Sequence, residues 1–406
     1  MKIPLASSGL RDVDIEAAIS TLKSGELTMG GKVKAFESAM ATYLGKKYFV
    51  MMNSGSSANL AMVEALLRPT KGQPLLAPGD GVLVPAIAWP TTIWPIVQLG
   101  LSPIFVDVDF DTAALDLNKA QERLKDSSSV IKAIFPIHPL GYSIDNDRLE
   151  SFASKNGLTL INDVCESLGS WRKGSHAGSS GLASSFSFYF SHHITTMEGG
   201  GVATDSLDLA DDLRSIRSHG WSRDRTDIRD WNAGSTSTDQ KFLFVTTGFN
   251  IRPMEIQAAI GKMQLADIDL FIERRRSIAV KIRDFLKDTR FELMDGGSLS
   301  GTDEESAHSW MLLAIKITGP QAELLRKPIL ERLNSLEIET RPILTGNFLE
   351  QPAIHRIQRN LPKAHEFPVA SKISQTCFMV SAHHDLADDQ VHYLAKSLRA
   401  VALQFE

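Results

Sequence analysis

The chain is poor in cysteine and has no run of basic residues. Cys165 and Cys377 are the only thiols in 406 residues. Two thiols exclude a disulfide framework and an iron–sulfur cluster on four thiolates, and they suit a reducing cytoplasm. The 43 basic residues are scattered, and 48 acidic ones leave a net charge of −5. That balance argues against nucleic acid and against a membrane surface as partners. The start, MKIPLASSGLRDVD, lacks the apolar stretch of a secretory signal. The uncharged stretch Val82 to Val106 is interrupted by Pro85, Pro90, Pro95 and Pro103. It therefore reads as strand, loop, helix and strand, not as a membrane span. What remains is 43% hydrophobic and 22% charged, an ordinary globular balance over a length that predicts two domains.

Periodicity supplies the outline. Asp12 is placed to cap a short helix. From 32 to 44, Val33, Phe36, Met40 and Leu44 recur with helical spacing. Asn53-Ser54-Gly55-Ser56-Ser57 opens a helix to about Leu67. Helices are expected at 91–99, 118–124, 144–155 and 208–218. Between and after them lie short apolar strands at 82–84, 104–106, 131–135, 158–161, 184–189 and 201–204. This alternation predicts βαβ units and a mostly parallel sheet covered on both faces. Residues 221–245 are polar and aperiodic, which predicts a long loop or an arm that meets a partner. A charged helix over about 267–288 leads to a smaller α+β unit. That unit has strands at 311–317 and 378–380 and helices at 321–335 and 386–403. The expected division is a large domain over 1–265 and a small one over 266–406, with the N-terminal helices packing on the small domain.

Four segments carry candidate chemistry. Gly55, Ser56 and Ser57 form a small-residue turn into a helix, which suits a phosphate and equally suits a simple helix cap. Asp163 follows the strand 158–161, at the strand end where open α/β sheets bind ligands. A carboxylate there suits a protonated heteroaromatic nitrogen and equally suits a helix cap. The segment Ser185 to Gly200 holds His192, His193 and Glu198. A metal site is disfavoured there, because adjacent histidines are not a helical i,i+4 pair and no third ligand is near. Asn250 and Arg252 stand before the helix start marked by Pro253. His383 and His384 read as surface or small-domain residues without a role.

Together these segments resemble the DegT/StrS family, the sugar-modifying branch of the fold type I pyridoxal-phosphate enzymes. The resemblance runs from about Pro4 to Leu394. It implies a large, mostly parallel seven-stranded sheet with helices on both faces and a smaller α+β C-terminal domain. Family members typically read S-F-x-x-x-K-x-x-T-T-x-E-G-G, with the lysine joined to the cofactor as a Schiff base. Here Thr195-Thr196 and Glu198-Gly199-Gly200 fix the frame, and His192 stands in place of that lysine. Imidazole has no primary amine, so the cofactor is expected to be held noncovalently, as pyridoxal or pyridoxamine 5′-phosphate. An imidazole still serves as a general base.

In this family a histidine here implies a 3-dehydratase that makes 3,6-dideoxyhexoses, with L-glutamate regenerating pyridoxamine phosphate and 2-oxoglutarate leaving. The segments Arg217 to Asp224 and Arg341 to Pro352 resemble the same subgroup. The absence of cysteine from Arg225 to Thr246 implies the branch without an iron–sulfur cluster. That branch belongs to colitose synthesis, in O-antigen and lipopolysaccharide assembly. The implied substrate is a nucleotide-linked 4-keto-6-deoxyhexose, GDP-4-keto-6-deoxy-D-mannose first. The resemblance further implies Gly55, Ser56 and Ser57 at the phosphate and Trp89 against the ring. It sets Asp163 at the ring nitrogen and Glu166 and Ser187 near the cofactor oxygens. Asn250 is implied to reach the phosphate of a second subunit, hence a homodimer with shared sites. Arg223, Arg341, Glu339 and His219 are candidates for the sugar nucleotide. Two alternatives stay open: a nucleotide-sugar 4-aminotransferase, and an inactive sugar-binding relative.

Overall fold

The computed structural model describes residues 1–126, 130–233, 239–298, 306–358 and 361–406. Two helices come first, α1 (Asp12–Ser24) and α2 (Gly31–Leu44). Arg11, not Asp12, holds the N-cap position of α1. The Asp14 carboxylate accepts the Arg11 N–H at 2.9 Å, so an acid three residues on supplies the cap.

Nine strands follow: β1 (Tyr48–Met52), β2 (Gly81–Pro85), β3 (Ser102–Val106), β4 (Ile131–Ile134), β5 (Thr159–Asp163), β6 (Trp171–Arg172), β7 (Ser175–His176), β8 (Ala183–Ser187) and β9 (Gly200–Thr204). Seven of them make one sheet in the order β1-β9-β8-β5-β4-β2-β3. Pairs β2–β3, β2–β4, β4–β5 and β5–β8 are parallel. β9 alone runs against both neighbours, β8 and β1. β6 and β7 form a small hairpin outside it.

Intervening helices cover both faces. These are α3 (Gly55–Leu67), α4 (Pro90–Gln98), α5 (Leu117–Asp126), α6 (Asn146–Lys155) and α7 (Leu207–Ile216). Side-chain alternation along β2 decides which helices meet which face. Val82 and Val84 pack with Met62 of α3, Ile93 of α4 and Leu213 of α7. Leu83 points the other way, to Ala120 of α5 and Leu149 of α6. All of β2 is buried, as a central parallel strand requires.

The segment 221–245 is more structured than its polarity predicts. It holds α8 (Ile228–Ala233) and a 3₁₀ turn at Gln240–Phe242, and the Trp221 ring stacks on Phe242 at 5.5 Å. Residues 234–238 lie outside the described residues. Then come α9 (Glu255–Ala266) and α10 (Ile268–Leu286).

The C-terminal part builds a second sheet, β10-β12-β13, from β10 (Phe291–Leu293), β12 (Leu312–Ile317) and β13 (Cys377–Ser381); β11 (Ser306–Ala307) pairs instead with β6. It is packed by α11 (Ala322–Ser335) and α14 (Asp388–Gln404), with α12 (Pro352–Ile357) and α13 (Pro368–Thr376) between them in sequence. The N-terminal helices do not pack there. α2 shares a core with β1, α9 and the start of α10. The first residues do reach the second sheet's core, where Ile3 bridges Ile338 and has no exposed surface. No helix among the described residues is long and apolar enough to cross a membrane.

Candidate active site

Five strand ends, those of β1, β2, β4, β5 and β8, open on one cavity of 410 Å³. That size accepts a small cofactor with part of a substrate. After β1 the chain turns at Ser54, whose Oγ accepts the Ser57 N–H at 3.1 Å and donates to Ser57 Oγ at 3.0 Å. Ser57 thus completes the cap and does not border the cavity. Gly55 and Ser56 do border it, and their first-turn N–H groups have no acceptor within the helix. The turn is tight. A Cβ at Gly55 would lie 2.5 Å from Ser187 Cβ, and one at Gly200 would lie 2.4 Å from the Gly55 nitrogen.

Asp163 closes the floor at the end of β5 and is buried. Its Oδ2 accepts from Asn59 Nδ2 at 2.8 Å and Thr92 Oγ1 at 2.7 Å, and its Oδ1 accepts the Cys165 N–H at 3.0 Å. Three donors from three segments fix its orientation. Glu166 accepts the Leu140 N–H at 2.9 Å. Burial raises its pKa to about 7; that N–H and Arg341 oppose the rise, and Asp163 adds to it.

His192 is half-buried on the loop after β8. Its Nδ1 is buried without a partner, so Nε2 is the nitrogen that reaches the cavity. Burial pushes its pKa down to about 3, with Arg275 and Arg341 adding to the effect. The imidazole is therefore neutral at ordinary pH and free to accept a proton. The Tyr189 ring meets it edge-on at 5.9 Å. Trp89 forms the mouth, 47% exposed, with the Arg341 guanidinium 5.7 Å from its ring centre. Ser187, Ser191, Glu198 and Met311 complete the wall, and no lysine is among the lining residues.

Of the residues singled out in the sequence, Gly55, Ser56, Trp89, Asp163, Glu166, Ser187, His192 and Arg341 meet at this cavity. Glu339 does not. It accepts the Leu5 N–H at 3.1 Å and pairs with Lys2 at 3.3 Å, tying down the N-terminal segment. Asn250 and His219 are exposed elsewhere on the chain, and Asn250 Oδ1 accepts from Arg252 Nε at 3.1 Å. Arg223 lies over the Trp221 ring at 4.3 Å and borders an open cleft beside α2. His193 is fully buried behind the site. His383 and His384 are not surface residues; their side chains are 3% and 7% exposed.

Asn59 and Thr92 escaped notice in the sequence. One signal was present for Asn59, a polar residue inside the apolar run Ala58 to Val63 of a helix buried nearly all round, which requires a buried partner. Thr92 has no such mark.

The site's residues fit a flat phosphorylated heteroaromatic. First-turn N–H groups and serines at the start of α3 suit a phosphate, the Trp89 ring suits a flat ring, and the fixed Asp163 carboxylate suits a protonated ring nitrogen. Comparison with known proteins agrees. The GDP-4-keto-6-deoxy-D-mannose 3-dehydratase of Escherichia coli O55:H7 is 36% identical, over 98% of this chain and 99% of its own. A solved structure of a GDP-4-keto-6-deoxymannose-3-dehydratase variant with bound GDP-perosamine matches at TM-score 0.88. It is 35% identical and covers 98% of this chain and 100% of that one. Another structure of that enzyme, with a trapped adduct of PLP and glutamate, matches at TM-score 0.86. It is 34% identical, with 98% and 100% covered. The profile of the DegT/DnrJ/EryC1/StrS aminotransferase family matches residues 10–399, and the chain belongs to that family.

Proposed function

We propose that this chain is a pyridoxal/pyridoxamine-phosphate-dependent 3-dehydratase of a nucleotide-linked 4-keto-6-deoxyhexose, with GDP-4-keto-6-deoxy-D-mannose as the substrate and L-glutamate as the amine donor. One observation carries this reading: His192 faces the cavity and no lysine lines it. A transaminase of this family tethers its cofactor; this cavity offers a base and no tether.

Bound pyridoxamine phosphate supplies a primary amine for the C4 ketone and a ring that accepts an electron pair. The chain's own groups do the rest. The N–H groups of Gly55 and Ser56 and the serine hydroxyls hold the phosphate at the positive end of α3. Asp163 keeps a proton on the pyridine nitrogen. Trp89 confines the ring. With the cofactor bound, His192 would be placed to take the proton from the methylene carbon next to the amine and to return it to the departing C3 hydroxyl, which would leave as water. Glu166, whose pKa burial raises to about 7, would hold or release a proton beside the cofactor oxygens. Arg341 offers a fork of donors to a substrate anion.

Asn250, His219 and Arg223 stand on an exposed segment away from this chain's own cavity. Their placement supports a homodimer in which each chain completes its partner's site.

The test is a spectrum and a product. Purified protein with added cofactor should interconvert between pyridoxamine-type and free-aldehyde absorption on adding glutamate. GDP-4-keto-6-deoxymannose should then yield a 3-deoxy ketosugar and ammonia. A 4-amino sugar as the product would favour the aminotransferase, and no cofactor binding would favour an inactive relative.

A further inference from the structure

α10 passes from one core to the other. Phe271 and Ile272 pack with α2 and β1. Ile278, Ala279 and Ile282 pack with β12 and α14. Between these stretches Arg275 has no exposed surface. A buried guanidinium is costly unless it is paired and hydrogen-bonded. This one is held by carbonyls. Nη1 donates to Trp310 O at 3.1 Å and to Met311 O at 2.8 Å, and Nη2 donates to His192 O at 3.2 Å. One of those carbonyls belongs to a constrained turn, since Trp310 has φ 53°, which bulky side chains rarely adopt.

We propose that Arg275 is the positioning residue of this cavity: its guanidinium joins the carbonyls of His192, Trp310 and Met311, and so sets the imidazole and the Met311 wall relative to each other. The inference rests on the reading of His192 as the base. Arg275 touches no reacting atom. It acts through the backbone of a residue that does.

Its charge has a second effect. The space around His192 is faced by Arg275 from α10, Arg341 from the segment after α11, and Tyr189, His193 and Glu198 from its own loop. Asp163, Cys165 and Glu166 face it from the end of β5 and just beyond, and His308, between β11 and β12, acts on the adjoining His193. Burial keeps His192 and His193 neutral, and Arg275 is the largest charge effect on both. The same field acts on His383 and His384. It opposes a cation at His383, His384 and Asp385, although their donor atoms lie within 4.8 Å of one another.

The test compares Arg275→Met and Arg275→Lys with the wild type in two readouts. The first is dehydration by the holoenzyme across pH. The second is titration of the ¹³C-labelled His192 ring in cofactor-free protein, with the signal identified by its loss in His192→Asn. Arg275→Met should lower kcat by about 10- to 100-fold with KM little changed, the scale of a small misplacement. Removing the cation should also raise the His192 midpoint toward its ordinary value of about 6.5 and move the acid limb of kcat to higher pH. Arg275→Lys keeps the charge but cannot span three carbonyls, so the midpoint should hold while kcat falls. A folded Arg275→Met that titrates and turns over as the wild type overturns the proposal. So does Arg275→Lys at wild-type kcat, which decides the matter should the methionine variant not fold. Should His192→Asn itself retain dehydration, the base assignment fails, and the NMR midpoint still reports whether Arg275 acts on that ring.

Discussion

A lysine placed at position 192 separates tether from base. His192→Lys with added aldehyde cofactor should give a covalent adduct after borohydride reduction, and the wild type should give none, since no lysine lines the cavity. A wild-type adduct seen by mass spectrometry would place a hidden lysine in the site. His192→Asn keeps polarity and size but loses the basic nitrogen. Dehydration should fall about 10²–10⁴-fold, the usual contribution of a general base. A smaller loss in single-turnover rates points to another proton acceptor. Asp163 makes a related prediction through its supports. Thr92→Val and Asn59→Leu each remove one donor from Oδ2. Both half-reactions should slow together, because both use the same protonated ring. Slowing of the sugar step alone, with glutamate conversion intact by stopped-flow absorbance, contradicts that role for Asp163. Single residues were legible where chemistry narrows the choice of side chain. His192 was legible through the family motif whose lysine frame it fills, and Asp163 through its strand end, where a helix cap read equally well. Arg275 and Thr92 were not, because their meaning is a contact across some 80 or 70 positions of chain, and no local pattern encodes that.

At the level of elements, one tight join is where α3 meets β9. A Cβ at Gly200 meets backbone atoms of Ser54, Gly55 and Phe186 at 2.4–2.6 Å, and backbone cannot step aside as a flexible side chain can. Gly200→Ala should destabilise by about 1–3 kcal/mol, the scale of overpacking, and should weaken cofactor binding because the phosphate turn shifts. Urea midpoints and cofactor titration check both. Loss of neither would mean the turn adapts. Parallel strands with helices between them were readable from their apolar runs, and α2 from its spacing. β1 was not read as a strand. Tyr48 to Met52 follows directly on a helix C-cap at Gly45 and lacks the alternation that marks a half-buried strand. The segment 221–245 read as a long loop or partner arm because stacked aromatics such as Trp221 and Phe242 order a chain without periodicity. Glu339 read as a substrate ligand because it stands two residues from Arg341, a spacing that puts side chains on one face of a regular strand; this segment is not a regular strand, and Glu339 is taken up by the Leu5 N–H and Lys2.

The whole molecule is built around neutral histidines. Burial first of all lowers the pKa of His138 to about 4, of His192 and His308 to about 3, of His383 to about 2 and of His384 to about 4. Each is depressed below its unfolded value near 6.5. Below that pH the unfolded chain binds protons that the folded one refuses, so stability falls as pH falls, by up to about 1.4 kcal/mol per pH unit for each histidine. Glu166 acts in the opposite sense. Its raised value means stability present at low pH and lost as pH rises toward 7. Denaturant midpoints should therefore drop steeply from about pH 6.5 to pH 5, and Glu166→Gln should be the more stable form near neutrality. A flat profile contradicts the buried neutral set. The proposed dimer has its own check. Asn250→Ala and His192→Asn chains, each inactive alone, should regain activity when unfolded and refolded together, because one of the two sites in a mixed pair is intact. Mixed refolding without recovery would place each site within a single chain.

The lysine-free cavity has a consequence beyond catalysis. Where a Schiff base would hold the vitamin, only noncovalent contacts remain, and occupancy obeys mass action. Each tenfold rise in free cofactor above its dissociation constant then adds about 1.4 kcal/mol to the folded state, without a ceiling until solubility intervenes. A chain held to its cofactor only by such contacts loses that stabilisation as free cofactor falls, and its susceptibility to protease should track added pyridoxal phosphate.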